Sequence, residues 1–221
     1  MLTTGTKARY DGIADWYDTV SSAAYATEVA SLLGPGTGRC LDLGCGTGHY
    51  LDALRSTGRE VIGVDVSADQ LRVARSRGNQ LAQADATALP FADGVFSTVS
   101  AIWVSTDVDD FVGAMRESFR VLAPGGQLLV FGVHPCFNGP CVEKGAGDTQ
   151  IVHPTYRQAL RHSDSPWWGR DGIRHRVGGM RHLPLAELVN SIVSCEFRID
   201  RMAEPGDAAI PVILAILATR P

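Results

Sequence analysis

The sequence predicts an α/β protein built on a mostly parallel sheet, and three observations carry that prediction. The run Cys40-Leu41-Asp42-Leu43 is an apolar strand with an acid near its end, broken by three alternating glycines, Gly44, Gly46 and Gly48. Two further apolar runs, V-I-G-V-D and Q-L-A-Q-A-D, also close on acids, Asp65 and Asp85. Segments of helical periodicity lie between them, and such alternation gives a parallel sheet with right-handed crossovers and ligand sites at the carboxyl ends of the strands. With 221 residues, 45% of them hydrophobic, the chain is long enough for one domain with a substantial core.

The elements follow in order. Residues 7–18, K-A-R-Y-D-G-I-A-D-W-Y-D, put Tyr10, Ile13, Ala14 and Tyr17 on one helical face. A helix from Tyr25 to Leu33 is broken by Gly34-Pro35-Gly36, which leads into the first strand. After the glycine turn, Tyr50 to Ser56 reads as a short helix stopped by Gly58. The glycine run then sits at a helix N-terminus, where free N–H groups face an anionic ligand group. Ser67 and Gln70 form a capping box in S-A-D-Q, opening a helix that Gly78 ends. A fourth strand, V-F-S-T-V-S-A-I-W, precedes a helix with Phe111, Met115, Phe119 and Leu122 on its apolar face. The break A-P-G-G leads to a fifth strand, Gln127 to Val133. From His134 to Gly179 the periodicity fails, and a long irregular stretch inside a compact domain is usually functional or mobile. Pro184 then opens a helix with Leu185, Leu188, Val189 and Ile192 on one face, and F-R-I-D-R-M and P-V-I-L-A-I-L-A-T are two closing strands.

The glycine turn raises the question of its ligand. Dinucleotide sites use G-x-G-x-x-G, whereas the sixth position here is His49. Asp42 precedes the turn, and a carboxylate there repels a pyrophosphate but holds an ammonium or a hydroxyl. This pattern favours a cationic or zwitterionic nucleoside over the NAD of an oxidoreductase. Asp65 is placed to reach a ribose diol. Asp42 has no basic neighbour in sequence, so its expected partner is a bound cation or N–H donor, since an unpaired buried carboxylate is costly.

L-D-L-G-C-G-T-G, G-V-D-V-S, A-D-A-T-A-L-P-F and R-V-L-A-P-G-G-Q-L, in that order, make residues 8–133 resemble the class I S-adenosylmethionine-dependent methyltransferases. The likeness is to the small-molecule branch that includes ubiquinone and menaquinone methyltransferases. It implies a Rossmann-like three-layer sandwich: a seven-stranded sheet of order 3-2-1-4-5-7-6, strand 7 antiparallel, with helices on both faces. It implies a single domain over 1–221, with 1–33 as a helical cap and 134–180 as a lid over the substrate. The implied cofactor is S-adenosyl-L-methionine, held by Tyr10, Tyr17, Asp42, Gly44, Cys45, Gly46, Asp65, Val66, Asp85, Ala86 and Ser100. Ala86 would lie near adenine and Ser100 near the methionine end. The implied activity is methyl transfer to an O or N atom of a small molecule, such as an aromatic secondary metabolite. The alternative is a non-methylating member in which the sulfonium only assists binding or rearrangement.

A phenolic acceptor gains from a general base. His134, directly after the fifth strand, is the first candidate, and it reads equally as a residue that orients the loop. His153 and Asp107 follow; Asp107 stands where the family often carries histidine. Trp103, Trp167 and Trp168 are candidate walls of a substrate pocket, although Trp103 also suits the core. Six arginines between Arg157 and Arg181 face only Asp164 and Asp171, which reads as a solvated surface or as a site for an anionic or polarised substrate. A net charge of -4 argues against a nucleic-acid partner. The first 30 residues hold no sustained apolar run, and A-I-P-V-I-L-A-I-L-A is too short to span a bilayer, so a cytoplasmic protein with no membrane partner, monomeric or homodimeric, is expected. Five cysteines read as reduced thiols, and Cys136 and Cys141 lack the second pair a zinc site would use, so no metal is expected.

Overall fold

In the computed structural model, residues 8–78, 80–169 and 172–221 are described. Lys7 of the N-terminal helical pattern, the first seven residues of the expected cap, and Arg170 and Asp171 of the basic stretch lie outside the described residues. The strands are β1 (Arg39–Leu43), β2 (Glu60–Asp65), β3 (Leu81–Gln83), β4 (Phe96–Ile102), β5 (Leu122–Val133), β6 (Arg198–Ala203) and β7 (Ile213–Thr219). They form one sheet of order β3-β2-β1-β4-β5-β7-β6. The first five pair in parallel, and β7 runs antiparallel to both β5 and β6. This is the predicted order. The helices are α1 (Ala14–Val20), α2 (Ala26–Leu33), α3 (Leu51–Ser56), α4 (Ala68–Ala74), α5 (Phe111–Val121), α6 (Ile173–Arg176) and α7 (Leu185–Val193).

Successive strand residues point to opposite faces of a sheet, and β1 shows the consequence. Leu41 and Leu43 enter one core with Phe111 and Met115 of α5 and Ile192 of α7. Cys40 enters the other with Val29 of α2, Leu51 and Leu54 of α3, and Phe131 of β5. Helices therefore cover both faces, giving the three layers expected. Each fully buried side chain of this size contributes roughly 1.5–3 kcal/mol by leaving water. Among the described residues, no helix is long and apolar enough to cross a membrane.

The strand β5 begins at Leu122 and carries the A-P-G-G segment within it, five residues earlier than expected, and three further boundaries differ from the sequence reading for physical reasons. α1 starts at Ala14, so Tyr10 stands in the turns before it; Gly12 at φ +82 breaks the helical run there. β3 ends at Gln83, because Asp85 instead accepts the Thr87 N–H at 2.9 Å and its hydroxyl at 2.8 Å in a local turn. After β5 the chain is not structureless. Val142–Lys144 pairs with Gln150–Val152, and Arg161–His162 pairs with Met180–Arg181. These ribbons are too short to leave a readable period.

Candidate functional site

A cavity of about 440 Å³ opens at the carboxyl ends of β1, β2 and β4. Its floor is the glycine turn. Gly44, Gly46 and Gly48 have φ of +70°, +54° and +85°, and a Cβ on Gly44 would lie 2.9 Å from a Val104 methyl. The turn does not offer the free N–H groups expected at these positions. Gly44 and Cys45 both donate to the Val64 carbonyl, at 2.8 and 2.9 Å, and Gly48 donates to the Cys45 carbonyl at 2.9 Å. Gly46 donates to Asp65 Oδ2 at 2.9 Å. The glycines therefore fix an acid and let a ligand approach the backbone closely.

Three carboxylates line this cavity. Asp42 is 2% exposed and accepts one hydrogen bond, from Ser100 Oγ at 2.9 Å. Burial pushes its carboxyl up to about 7; the Ser100 bond opposes this and nearby Asp65 adds to it. The partner expected for Asp42 was a cation or N–H donor, and the structure supplies a neutral hydroxyl. Asp65 accepts from the Ser67 N–H at 2.8 Å as well as from Gly46, and burial raises its carboxyl against those bonds. Asp107 follows a 3-10 turn over Val104–Thr106 and accepts from the Tyr10 hydroxyl at 3.1 Å. Burial pushes Asp107 up to about 6, while the Tyr10 hydrogen bond and the Arg161 charge oppose it. Trp103, at φ +64°, makes the left-handed step that swings the chain from β4 to Asp107.

The N-terminal segment contributes Tyr10, Tyr17 and Ser21 to the cavity wall. Tyr10 and Tyr17 meet edge to face at 5.0 Å. Burial raises both phenols, with the Asp107 charge adding to it. Asp69 Oδ2 accepts from the Gly12 and Ala14 N–H groups at 2.9 and 3.3 Å, and Arg77 pairs with Asp18 at 2.7 Å. His49 closes the same side, 2.9 Å from Ser21 Oγ and 3.1 Å from Asp18 Oδ1, and burial lowers its imidazole below the usual range.

The structure brings together Tyr10, Tyr17, Asp42, Gly44, Cys45, Gly46, Asp65, Val66, Ala86, Trp103 and Asp107 around the cavity. Six expected residues do not line it. Asp85 is turned into its bonds with Thr87, and Ser100 lies fully buried behind Asp42. His134 is 3% exposed and points away, because the preceding Val133 takes the cavity side. Its Nε2 lies 3.0 Å from Glu204, its Nδ1 accepts the Cys136 N–H at 3.2 Å, and its ring stacks on Phe137. His153 stacks on Trp167 at 4.3 Å and bonds Glu143 at 3.0 Å, which fixes both rings outside the cavity. Trp168 is buried beneath the Arg174 guanidinium. Of the three catalytic candidates, Asp107 alone reaches the cavity. Sequence reading missed His49, read only as an absent glycine, and Gln70 and Arg174. Gln70 was legible as half of a capping box, and here its N–H does bond Ser67 Oγ at 3.1 Å while its amide turns inward.

Solved structures share this fold. An S-adenosylmethionine-dependent methyltransferase of Mesorhizobium loti superposes with a TM-score of 0.69 over 95% of this chain and 99% of its own, at 22% identity. The [4+2]-cyclase SpnF superposes with a TM-score of 0.67 over 99% and 98%, at 19% identity. The fold is that of the class I S-adenosylmethionine-dependent methyltransferases. In sequence, residues 41–130 match the methyltransferase domain family Methyltransf_11. A demethylmenaquinone methyltransferase of Mycobacterium marinum is 38% identical over 130 residues, 55% of this chain and 56% of that protein. The ubiquinone/menaquinone biosynthesis C-methyltransferase UbiE of Desulfotalea psychrophila is 33% identical over 145 residues, 59% of each. The chain thus spans between about half and three fifths of these curated relatives' length. Residues 41–130 are thus similar to this methyltransferase family in sequence, as the whole chain is in fold.

The cofactor of that family is S-adenosylmethionine, and the residues present fit it. The side-chain amide of Gln70, 1% exposed, lines the cavity, and among the described residues neither its nitrogen nor its oxygen has a hydrogen-bond partner. Buried amides are rarely left so, and a polar ligand in the cavity would satisfy this one. The acids near the ends of β1 and β2 suit hydroxyls and a cation, and beside the glycine turn they repel a diphosphate. That chemistry does not fit the NAD alternative.

Proposed function

We propose that the chain transfers a methyl group from S-adenosylmethionine to a small molecule carrying an acidic hydroxyl, at that oxygen or at an adjacent carbon, with Asp107 as the general base. The observation that carries this reading is the placement of Asp107: a carboxylate with its pKa pushed up to about 6, in the same cavity as Asp42 and Asp65. A base titrating near neutrality is matched to removing a proton from a phenol or enol. Nitrogen acceptors need less from such a group. The relatives' names, demethylmenaquinone methyltransferase and C-methyltransferase, support the carbon variant.

When bound, the cofactor supplies a methyl group on a sulfonium, which leaves as a neutral thioether. The protein's share is alignment in a dry pocket. Asp65 accepts from the ribose hydroxyls, and Ala86 and Val66 flank the base. Asp42 balances the positive end. Tyr10 and Tyr17 close residues 8–33 over the cofactor as a cap, and Tyr10 also orients Asp107. Ile102, Val104, Val108 and Val133 give apolar walls. Residues 134–180 act as the lid on the acceptor side, within the same domain as the sheet. A tritium-methyl transfer screen against phenols, amines and carboxylates, with mass spectrometry of the product, tests this. Label is expected in a hydroxylated acceptor, and a product without added methyl would favour the non-methylating reading.

A further inference from the structure

We propose that Arg174 is the anion-binding residue on the acceptor side of this cavity, so that the acceptor is an organic acid presenting a carboxylate or ionised hydroxyl on a flat apolar frame. This rests on the methyl-transfer reading above. Arg174 lies on α6, inside the loop that the Arg161–His162 and Met180–Arg181 ribbon closes, and its half-buried side chain lines the cavity beside Ile173 and Val177. Trp168 supports the guanidinium from below at 5.2 Å, and the Gly179 N–H holds the Arg174 carbonyl at 2.7 Å.

Arg161, Arg9 and Arg176, near the site, each have a partner for the guanidinium. Arg161 pairs with Asp109 at 3.1 Å and donates to the Asp107 and Gly179 carbonyls. Arg9 also pairs with Asp109, and Arg176 stacks on Trp16 at 4.1 Å. Arg59 lies away from the cavity and donates to Thr98 at 2.9 Å and to the Gly34 carbonyl at 2.8 Å. Arg174 differs from all of them. Among the described residues it has no ion pair, and its one hydrogen bond is to Asn138 Oδ1 at 3.4 Å, longer than the usual N–H···O contact. That oxygen already accepts from the Gly139 N–H at 2.8 Å. Burial without a counter-charge lowers the pKa of Arg174. A guanidinium carries five donors in a planar fork suited to a carboxylate or oxyanion, and withdrawing it in part from water with one long hydrogen bond and no counter-charge is costly. An anionic ligand supplies the missing partner. Where the bound group is a hydroxyl, its O–H bond breaks as Asp107 takes the proton, and the oxyanion left behind is the anion that Arg174, lining the same cavity, would pair with.

The test uses the full chain and two flat probes, 2-naphthoate and its neutral counterpart 2-naphthamide, titrated by calorimetry with and without saturating S-adenosylhomocysteine. The wild type is expected to prefer the acid by about 10- to 100-fold, the range of charge-assisted hydrogen bonds. Arg174→Gln should erase that preference, Arg174→Lys should keep part of it, and Arg176→Gln should leave it unchanged. S-adenosylhomocysteine should bind the wild type and Arg174→Gln alike. If the nucleoside binds but the acid is not preferred, or the preference survives Arg174→Gln, the assignment of Arg174 is overturned. If the nucleoside itself fails to bind the wild type, the methyl-transfer reading falls instead.

Discussion

The sheet from Arg39 to Val133 and the insertion that follows it hold their cavity residues by different means. In the sheet, backbone register does the placing. Asp42 pairs with Gly63 across β1 and β2, and Asp65 stands at the end of β2, where two backbone N–H groups fix its carboxylate. In the insertion, Arg174 reaches the same cavity through one aromatic face, one backbone hydrogen bond and a ribbon of two residues per strand. The first arrangement follows from strand length and tolerates many neighbours, so it suits a cofactor common to a family. The second depends on contacts between residues distant in sequence, so it can change with the acceptor.

Substitutions on the two sides of that divide should behave differently. The largest effect is expected on the sheet side. Asp65→Ala removes the acceptor of two partly buried N–H groups and the candidate ribose partner, and should weaken S-adenosylhomocysteine binding by about 100-fold or more in calorimetry. Unchanged affinity would take Asp65 out of the site. Asp107→Asn, at the seam between sheet and insertion, should lower kcat by about 10²- to 10⁴-fold and leave nucleoside affinity within about twofold. Because the base acts deprotonated, wild-type kcat should rise with pH through about 6, and that rise should be absent from the variant.

Asp42→Asn separates binding from stability. The folded pKa of Asp42, about 7, lies above the ordinary carboxylate value. The folded state therefore holds a proton that the unfolded state releases; this stabilisation is complete at low pH and is lost as pH rises through about 7. Asn cannot ionise, so the ligand-free variant should gain about 2–4 kcal/mol at pH 8 in urea denaturation and change little at pH 3. A loss at pH 8 would contradict the burial of an ionised Asp42. The smallest effect is expected at His134. Held by Glu204 outside the cavity, it should cost about 1 kcal/mol of stability on change to Ala and leave turnover within about twofold.

The same divide explains what the sequence could tell. Strand order, the glycine turn and the acids at 42 and 65 follow from apolar runs, glycine spacing and helix signals that act within a few residues. Asp107 was legible as a polar residue just past β4, although its pairing with Tyr10, 97 positions away, was not. His134 was misplaced because position after a strand does not reveal on which side of it a side chain points. Trp167 and Trp168 were read as pocket walls because composition alone cannot distinguish a ring facing a ligand from a ring supporting His153 or Arg174. Arg174 stood among six arginines with nothing local to distinguish it.

The direct measurement is a calorimetric titration of the wild-type chain with S-adenosylmethionine, run in parallel with NAD. Saturable one-site binding of the sulfonium nucleoside and no heat from NAD is the result expected if Asp42 and Asp65 form its cradle. Saturable binding of NAD, or none of S-adenosylmethionine, would contradict it.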